Sequence, residues 1–276
     1  MTVTTKCDTI VLHNSSAKEG NLDNETKLSN LRRFNLVMAC LHAIQGVAVL
    51  LLSTDFGVPV TVGFLNFDFQ TQSLIPATQT IFNLPLAWLI VAFFFLSALA
   101  HLVIATVYYP TYVANLEEGL NKARWIEYAL SASTMMVAIA LLVGIYDLGS
   151  LIMIFGLTGV MNLMGLVMEV HNQTTKHTNW LSYNIGVLAG SLPWIVVGLY
   201  FWAANQYGSG NIPTFVYWIY VSIFVFFSSF AGNMILQYKK IGPWKDYLYG
   251  ERAYIVLSLV AKSLLAWQVF AGTLRP

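Results

Sequence analysis

The fold is decided near the C-terminus, where residues 250–271 read GERAYIVLSLVAKSLLAWQVFA. This segment is apolar over about the 20 residues that a helix needs to cross a bilayer. Lys262 is the only charged residue between Arg252 and Arg275. An ammonium at mid-membrane depth costs about 3 kcal/mol or more on insertion scales. Lys262 is therefore expected to be neutral, paired with an anion or covalently modified.

Two interpretations of Lys262 remain open at this point. Snorkelling to the lipid headgroups does not suit a lysine in the middle of the segment. A salt bridge to another helix would compensate the charge. Alternatively, a desolvated lysine can form a Schiff base with an aldehyde cofactor, for which retinal is the familiar case in membranes. The second interpretation predicts a covalent chromophore on Lys262.

The composition is that of a membrane protein that crosses the bilayer several times. The chain has 276 residues, of which 57% are hydrophobic and 10% charged, and its mean hydropathy is +0.64. Soluble domains carry about 25% charged residues. The formal net charge of +1 gives no reason to expect a nucleic-acid partner. Cys7 and Cys40 suggest neither a disulfide framework nor a metal site. No enzymatic activity is expected of this chain.

Seven apolar stretches predict an all-α bundle of seven transmembrane helices. Residues 1–30 are predicted to be a polar cytoplasmic tail, disordered at its start, and residues 31–276 to form the transmembrane domain. The loop at residues 54–80 alternates partly between apolar and polar side chains, which predicts a short β-hairpin on one membrane face. The predicted helices cover residues 36–53, 82–108, 120–146, 150–169, 180–203, 213–238 and 252–276.

The loop charges predict the orientation in the cell membrane. Almost every Lys and Arg lies in the N-terminal tail or in the loops after the second, fourth and sixth predicted helices. The loops after the first, third and fifth helices carry none. Because positively charged loops stay in the cytoplasm, the N-terminus is predicted to be cytoplasmic and the C-terminus extracellular. The hairpin then lies in the first extracellular loop.

Glu127 is the predicted partner of the Lys262 nitrogen. Side chains on a helix lean toward its N-terminus, so the lysine nitrogen is expected in the cytoplasmic half, within reach of Ser258 four residues earlier. Glu127 is the only carboxylate well inside a helix that runs outward. A buried cation requires such a counterion. The alternatives are a bond from Ser258 to a helix carbonyl and a local surface ion pair between Glu127 and Arg124.

Further polar and aromatic residues complete the predicted site. His42 and His101, with Ser97, could share a water network or relay a proton, or each histidine could simply bond a nearby hydroxyl or carbonyl. The distribution of these residues argues against a metal site. Aromatic side chains could form the walls of a polyene slot, although such stripes are more often ordinary packing. The predicted slot residues are Ser131, Trp194, Phe226, Phe227, Phe230 and Trp267, the last flanking the slot rather than facing it.

Several of these segments resemble the heliorhodopsins over residues 30–276. The resemblance is carried by residues 124–128 (RWIEY) with Ser131 and Ser133, by residues 250–268, and by Leu41-His42, Leu99-Ala100-His101 and Pro193-Trp194. It implies all-trans retinal bound covalently to Lys262, Glu127 as counterion, Ser258 and both histidines around the Schiff base, inverted topology and a homodimer. The polar position of the family in the fourth helix falls near Thr158.

Three functions are consistent with these residues. The first is a slow-cycling photoreceptor that signals to an unknown cytoplasmic partner without pumping, and whose absorption shifts to the red when acid protonates Glu127. The second is a light-activated proton channel or transporter. It could use Glu169, Glu251 and Asp147 as uptake and release groups, although these residues are also explained as interface charges. The third is a non-photochemical membrane enzyme or lipid-binding bundle with Lys262 in a salt bridge.

Overall fold

The computed structural model describes residues 4–210 and 212–275, with the backbone alone for residues 4–23. Within this part of the chain, seven helices are long and apolar enough to cross a membrane. The predicted seven-helix, rhodopsin-like bundle with a small hairpin is thus confirmed. The elements are α1 (Thr4–Leu52), β1 (Gly57–Asp68), β2 (Ser73–Pro85), α2 (Leu86–Ala105), α3 (Tyr109–Glu117), α4 (Lys122–Leu142), α5 (Leu148–Asn172), α6 (Leu181–Tyr207), α7 (Thr214–Tyr238) and α8 (Tyr247–Val269).

Helix α3 was not predicted and lies between the second and third membrane spans. The apolar run that predicted a helix to residue 108 ends as α2 at Ala105, because Thr106 leaves helical geometry with φ −118° and ψ −98°. Pro110 then stands in the first turn of α3, where its missing N–H is no loss. Helix α3 marks one end of the bundle, called the α3 end below, and the β-strands mark the other, called the hairpin end.

Helix α1 begins far earlier than the predicted start at residue 36. Its backbone is helical from Thr4, so most of the predicted polar tail continues the first membrane span as helix. The reason is visible from Asn24 onward, where the helix has a packing partner. Leu28 and Leu31 are 7% and 0% exposed and pack against α3 and α8 beside Tyr112 and Leu248. Residues 1–3, part of the predicted disordered start, lie outside the described residues.

The predicted hairpin is confirmed and is longer than its pattern suggested. Strands β1 and β2 pair antiparallel from Gly57 opposite Pro85 to Asp68 opposite Ser73, with an irregularity between Val60 and Thr61. The backbone N–H of Thr61 donates to the Tyr146 carbonyl at 2.9 Å and so ties the hairpin to the turn between α4 and α5. Because strand pairing extends to Pro85, α2 begins at Leu86 rather than near residue 82.

Asp147, considered above as a release group, caps α5 at the hairpin end. Its carboxylate accepts hydrogen bonds from the Ser150 backbone N–H at 2.8 Å and from the Ser150 hydroxyl at 2.9 Å. These two bonds hold the pKa of the Asp147 carboxyl below its usual value. An N-terminal cap of this kind stabilises a helix by about 1 kcal/mol.

Close packing and buried polar contacts hold the bundle together. Lipid chains are as apolar as leucine, so the hydrophobic effect does not drive helices together inside the bilayer. Helices α5 and α6 approach closely because Gly186 and Gly190 leave room for the side chains of Met164 and Met161. A larger apolar cluster fills the hairpin end and two smaller ones fill the α3 end. Polar side chains concentrate between them, around Lys262.

Candidate functional site

Lys262 lies at the centre of the buried polar residues. It projects from α8 and is 3% exposed. Its Nζ donates to Glu127 Oε1 at 2.9 Å and to Ser258 Oγ at 2.8 Å, and lies 5.4 Å from the centre of the Tyr128 ring. The structure therefore brings together the lysine, the carboxylate and the serine that the sequence singled out. Ser258 contacts the lysine nitrogen through the spacing of four residues that makes helical neighbours.

Glu127 is held by groups from two neighbouring helices. It projects from α4, is 9% exposed, and accepts a hydrogen bond from Ser97 Oγ of α2 at 2.6 Å in addition to the one from Lys262. The Ser97 hydroxyl also contacts the Phe93 carbonyl at 3.0 Å. A buried ion pair is tolerated only when further hydrogen bonds satisfy its atoms. Ser97 and Ser258 supply those bonds on the two sides of this pair.

The two buried histidines lie side by side, one from α1 and one from α2. Their rings stack with centroids 5.5 Å apart and an interplanar angle of 9°. His101 Nδ1 lies 2.7 Å from Asn35 Oδ1, and since Asn35 Nδ2 donates to the Leu31 carbonyl, that oxygen is the acceptor and His101 Nδ1 the donor. His42 is 0% exposed, and neither of its ring nitrogens has a hydrogen-bond partner among the described residues.

Arg124 is the centre of a second buried ion cluster that the sequence did not reveal. Its guanidinium bonds one oxygen of Glu169 on α5 and one of Glu251 on α8. Asn121 adds a backbone N–H bond to Glu169 at 2.9 Å and a side-chain bond to Glu251 at 2.6 Å. We call Arg124, Glu169 and Glu251 the arginine cluster. It lies at the α3 end, where α4 and α8 begin and α5 ends.

Two interpretations that the sequence left open for these charges are wrong. Glu169 and Glu251 were expected to be interface charges, yet each is 2% exposed. Arg124 was considered as a surface partner of Glu127, yet it is 4% exposed and bonds the other two carboxylates. Spacing along one helix suggested the local pair, whereas packing between α4, α5 and α8 provides the actual partners. Both carboxylates lie close to a helix end, so nothing in the sequence indicated that they are buried.

A small polar cavity, with about 20 Å³ open to the centre of a water molecule, connects the two groups of charges. Glu127 and His101 line it on one side, and Glu251 and Arg124 line it on the other. Glu169 is not among the lining residues. The remaining lining residues are Asn35, Ala100, Ile104, Asn121, Tyr128 and Ile255. A polar cavity with several convergent hydrogen-bonding groups is a site that water can occupy.

An apolar cavity lies on the other side of the Lys262 nitrogen. About 40 Å³ of it is open to the centre of a water-sized sphere, and it is lined by Lys262 and Ser258 together with Tyr128, Ser131, Ala132, Met135, Met161, Asn162, Phe227, Phe230 and Ala261. A second cavity, with about 250 Å³ open to the centre of a water-sized sphere, adjoins it and shares four of these residues, Met161, Asn162, Phe227 and Phe230. Small-molecule sites are concave and mostly apolar. The two cavities together form a long apolar slot that ends at the lysine.

The predicted slot residues divide into two groups. Ser131 and Phe227 line the cavity at Lys262, and Trp194 lines the adjoining one, where its ring packs edge-on against Phe227 at 5.5 Å between centroids. Trp267, which was predicted to flank the slot, is 38% exposed and, like Phe226, lines neither cavity. Its Nε1 donates instead to Gln45 Oε1 on α1 at 3.1 Å. Tyr128, Met161 and Asn162 are slot residues that the sequence reasoning missed.

The family comparison agrees with this geometry. A family model described as heliorhodopsin matches residues 31–274. The chain belongs to the heliorhodopsin family. No curated protein matches it in a sequence search. Heliorhodopsins are light-sensing, retinal-binding rhodopsins, so this heliorhodopsin is a multi-pass membrane protein with a retinal chromophore.

The residues present fit a retinal. A polyene aldehyde requires a primary amine at one end of an elongated apolar space, and Lys262 Nζ stands at the end of the slot. Aromatic rings line the slot, with Trp194 and Phe227 at its wall. The charge of a protonated imine requires a buried anion close to the nitrogen. In this heliorhodopsin Glu127 already supplies one at 2.9 Å.

Proposed function

We propose that this heliorhodopsin is a photoreceptor in which all-trans retinal is bound to Lys262 as a protonated Schiff base, with Glu127 as its counterion. One observation carries the proposal: the Lys262 nitrogen both ends the apolar slot and bonds the Glu127 carboxylate. When bound, the retinal supplies visible absorption and a change of shape on photoisomerisation. The Lys262 nitrogen can pass its proton directly to Glu127 Oε1, because the two atoms already lie within hydrogen-bond distance of each other.

Slow signalling without pumping is the function that the distribution of charges supports best. A pump needs titratable groups on both sides of the chromophore. From Tyr128 to Leu142 in α4, and from Ser263 to Val269 in α8, no residue is acidic. The acidic groups near Lys262 therefore lie toward the α3 end. A proton displaced by light can move within that half and return, which suits a sensor, and no enzymatic activity is part of the proposal.

The α3 end is proposed to face the cytoplasm and to hold the signalling surface. The loops at this end carry Lys176, Lys239, Lys240 and Lys245, whereas the loops at the hairpin end carry neither Lys nor Arg. Positively charged loops favour the cytoplasmic side. A movement of α4 or α8 around Lys262 would reach the same basic surface, where a cytoplasmic partner could detect it.

The direct test is to add all-trans retinal to the retinal-free protein in detergent or lipid. A visible absorption band is expected, far to the red of free retinal, because the charged nitrogen draws electron density along the polyene. Acidification is expected to move the band further to the red as Glu127 takes up a proton. If retinal produces no visible band, the photoreceptor proposal is wrong, and the salt-bridge interpretation of Lys262 takes its place.

Glu127→Gln is expected to change the colour strongly. Without the carboxylate, the buried positive charge loses about 3–5 kcal/mol of stabilisation. The visible maximum should move to longer wavelength, and the band should fade into the near ultraviolet at a lower pH than in the wild type. Absorption spectra across a pH series measure both effects. Glu118→Gln, an exposed carboxylate at the end of α3, is the matched control and should leave the spectrum unchanged.

Light-activated proton transport is the second candidate, and the polar cavity is the observation that favours it. This cavity joins Glu127 to Glu251 near the α3 end and could form part of a conduction path. Whole-cell recordings under illumination separate the two functions, since a sensor should give no steady photocurrent. A clear photocurrent that disappears in Glu127→Gln would replace the sensor proposal with transport.

The hairpin is proposed to pair with a second copy of the chain in a homodimer. A hairpin of two strands is marginally stable alone, yet this one exposes large apolar side chains. Leu65, Phe67 and Leu74 share one face and are 64%, 42% and 60% exposed. Exposed apolar patches of this kind mark contact surfaces. The matching patch on a second hairpin would bury both.

Introducing charges on that face is expected to produce a monomer. Leu65→Asp combined with Leu74→Asp places two carboxylates on the apolar face, where burial without partners is strongly unfavourable. Size-exclusion chromatography with light scattering on the detergent-solubilised protein should show a halved protein mass. Asn66→Asp is the control, because successive side chains point to opposite faces of a strand. A dimer that persists in the double variant would place the interface elsewhere.

A further inference from the structure

The arginine cluster carries one more negative charge than positive. Arg124 faces two carboxylates, Glu169 and Glu251, and no other lysine or arginine is bonded to either within the part of the chain that the structure describes. All three residues are at most 4% exposed, so bulk water does not screen the imbalance. An uncompensated buried charge is costly. The arginine cluster would therefore become neutral by taking up a single proton.

Glu251 has hydrogen-bond partners for both of its protonation states. Its Oε2 accepts from Arg124, and its Oε1 accepts from Asn121 Nδ2 at 2.6 Å and from the Tyr112 hydroxyl at 3.2 Å. These donors suit the ionised carboxylate. Burial and the nearby Glu251 charge raise the pKa of Tyr112 well above its usual value, so its hydroxyl keeps its proton. A hydroxyl oxygen can also accept, and Tyr112 can therefore take a hydrogen bond from a protonated Glu251.

The polar cavity reaches Glu251 and not Glu169. Glu127, His101 and Glu251 line the same small space, together with Asn35 and Asn121. Water held by these groups can connect the two carboxylates. Glu169 bonds the same guanidinium but does not line the cavity. The two carboxylates of the arginine cluster thus differ in their access to Lys262.

We propose that Glu251 receives the proton displaced from the Lys262 nitrogen after light absorption, a step that rests on the function proposed above. The N–H bond at Lys262 breaks and leaves its electron pair on the nitrogen. Glu127 takes that proton, passes one on to the water of the polar cavity, and returns to its ionised state. An O–H bond forms at Glu251 Oε1, so the nitrogen and the arginine cluster both end neutral. The excess negative charge then lies on Glu127, which keeps its hydrogen bond from Ser97.

His101 is a poorer acceptor than Glu251. Its Nδ1 already carries a hydrogen, which it donates to Asn35. A second proton would turn the ring into a buried cation, and none of its hydrogen-bond partners is a carboxylate. Protonation of Glu251 instead removes a charge from the interior. The electrostatic balance therefore favours the carboxylate at the far end of the cavity.

Light-minus-dark infrared spectroscopy of the retinal-reconstituted full chain tests this assignment. The photoproduct that has lost its visible band should show the carbonyl stretch of a newly protonated carboxylic acid, shifted downward in D2O. Glu251→Gln and Glu169→Gln form a matched pair, because each removes one carboxylate from the same guanidinium. The carbonyl band is expected to disappear in Glu251→Gln. In Glu169→Gln the cluster is already neutral in the dark and protonation of Glu251 loses its electrostatic advantage, so the band should weaken there but keep its frequency. Tyr112→Phe should retain the band at higher frequency, since the acid then lacks one hydrogen-bond partner.

Three results would overturn the assignment: no carbonyl band in the wild type, a band that persists in Glu251→Gln, or a band unmoved in Tyr112→Phe. Persistence in Glu251→Gln would point to Glu127 as the final acceptor. Failure of the underlying function looks different, because the wild type would then form no visible pigment with retinal. If Glu251→Gln does not fold, the frequency of the carbonyl band in Tyr112→Phe decides the assignment.

Discussion

Replacing Lys262 with alanine is expected to abolish the visible absorption of the retinal-treated protein completely. Lys262 is the only amine among the residues that line the two apolar cavities. Without it no imine can form in the slot, and any retinal that enters should absorb in the near ultraviolet like the free aldehyde. The absorption spectrum after incubation with retinal measures the effect, and denaturation in acid reports whether retinal remains attached to the chain.

The Lys262→Ala variant also leaves Glu127 buried without its cation, which could destabilise the protein by about 3–5 kcal/mol. Lys262→Ala combined with Glu127→Gln removes both charges and should fold as well as the wild type while remaining colourless. Lys122→Ala, at the exposed start of α4, is the control and should form normal pigment. A visible band in the double variant would show that retinal is held somewhere other than Lys262.

Two features allowed part of the site to be predicted from the sequence: the local geometry of a helix, and the small number of charged residues in the apolar segments. Lys262 stands out because an apolar segment offers an ammonium no partner of its own. Ser258 follows from the spacing of four residues on one helix face. Glu127 follows from elimination, because few carboxylates lie deep in the predicted helices. In each case the decisive quantity is the cost of burying a charge, which can be read from one segment at a time.

The arginine cluster could not be predicted in the same way, because its members meet only after the helices pack. Glu169 and Glu251 lie 45 and 127 residues from Arg124 along the chain. Each is close to a helix end, where a charged side chain normally reaches water or headgroups. Helix α3 and the early start of α1 cover this end of the bundle, with Tyr112 1% exposed. Neither element was expected, so the burial of the cluster was not expected either.

Trp267 shows that a residue in the segment resembling the family need not line the slot. It belongs to the same segment as Lys262, but its direction around the helix carries it to α1 and Gln45. The slot is instead closed by residues from other helices, including Met161 of α5 and Phe227 of α7. Proximity in sequence to a reactive lysine is thus a weak guide to the wall of its pocket.

Arg124→Gln is expected to be the most destabilising single substitution at the α3 end. It leaves two buried carboxylates beside each other without their shared cation, and breaking a buried ion pair in this way costs about 3–5 kcal/mol. The guanidinium also stacks over the rings of Trp125 and Tyr254, at 4.8 Å and 4.1 Å from their centroids, and these contacts are lost. The visible band of the variant in detergent, recorded as the temperature rises, should be lost well below the temperature at which the wild type loses half of its band.

A triple variant separates lost charge balance from lost packing. Arg124→Gln with Glu169→Gln and Glu251→Gln contains no charge in the cluster, and replacing a whole buried ion network by neutral groups is often close to neutral in stability. Its thermal midpoint should therefore recover most of the distance to the wild type, although light should no longer produce the Glu251 carbonyl band. If the triple variant is as unstable as Arg124→Gln alone, the stacking of Arg124 on Trp125 and Tyr254 stabilises this end of the bundle, and the charge balance does not.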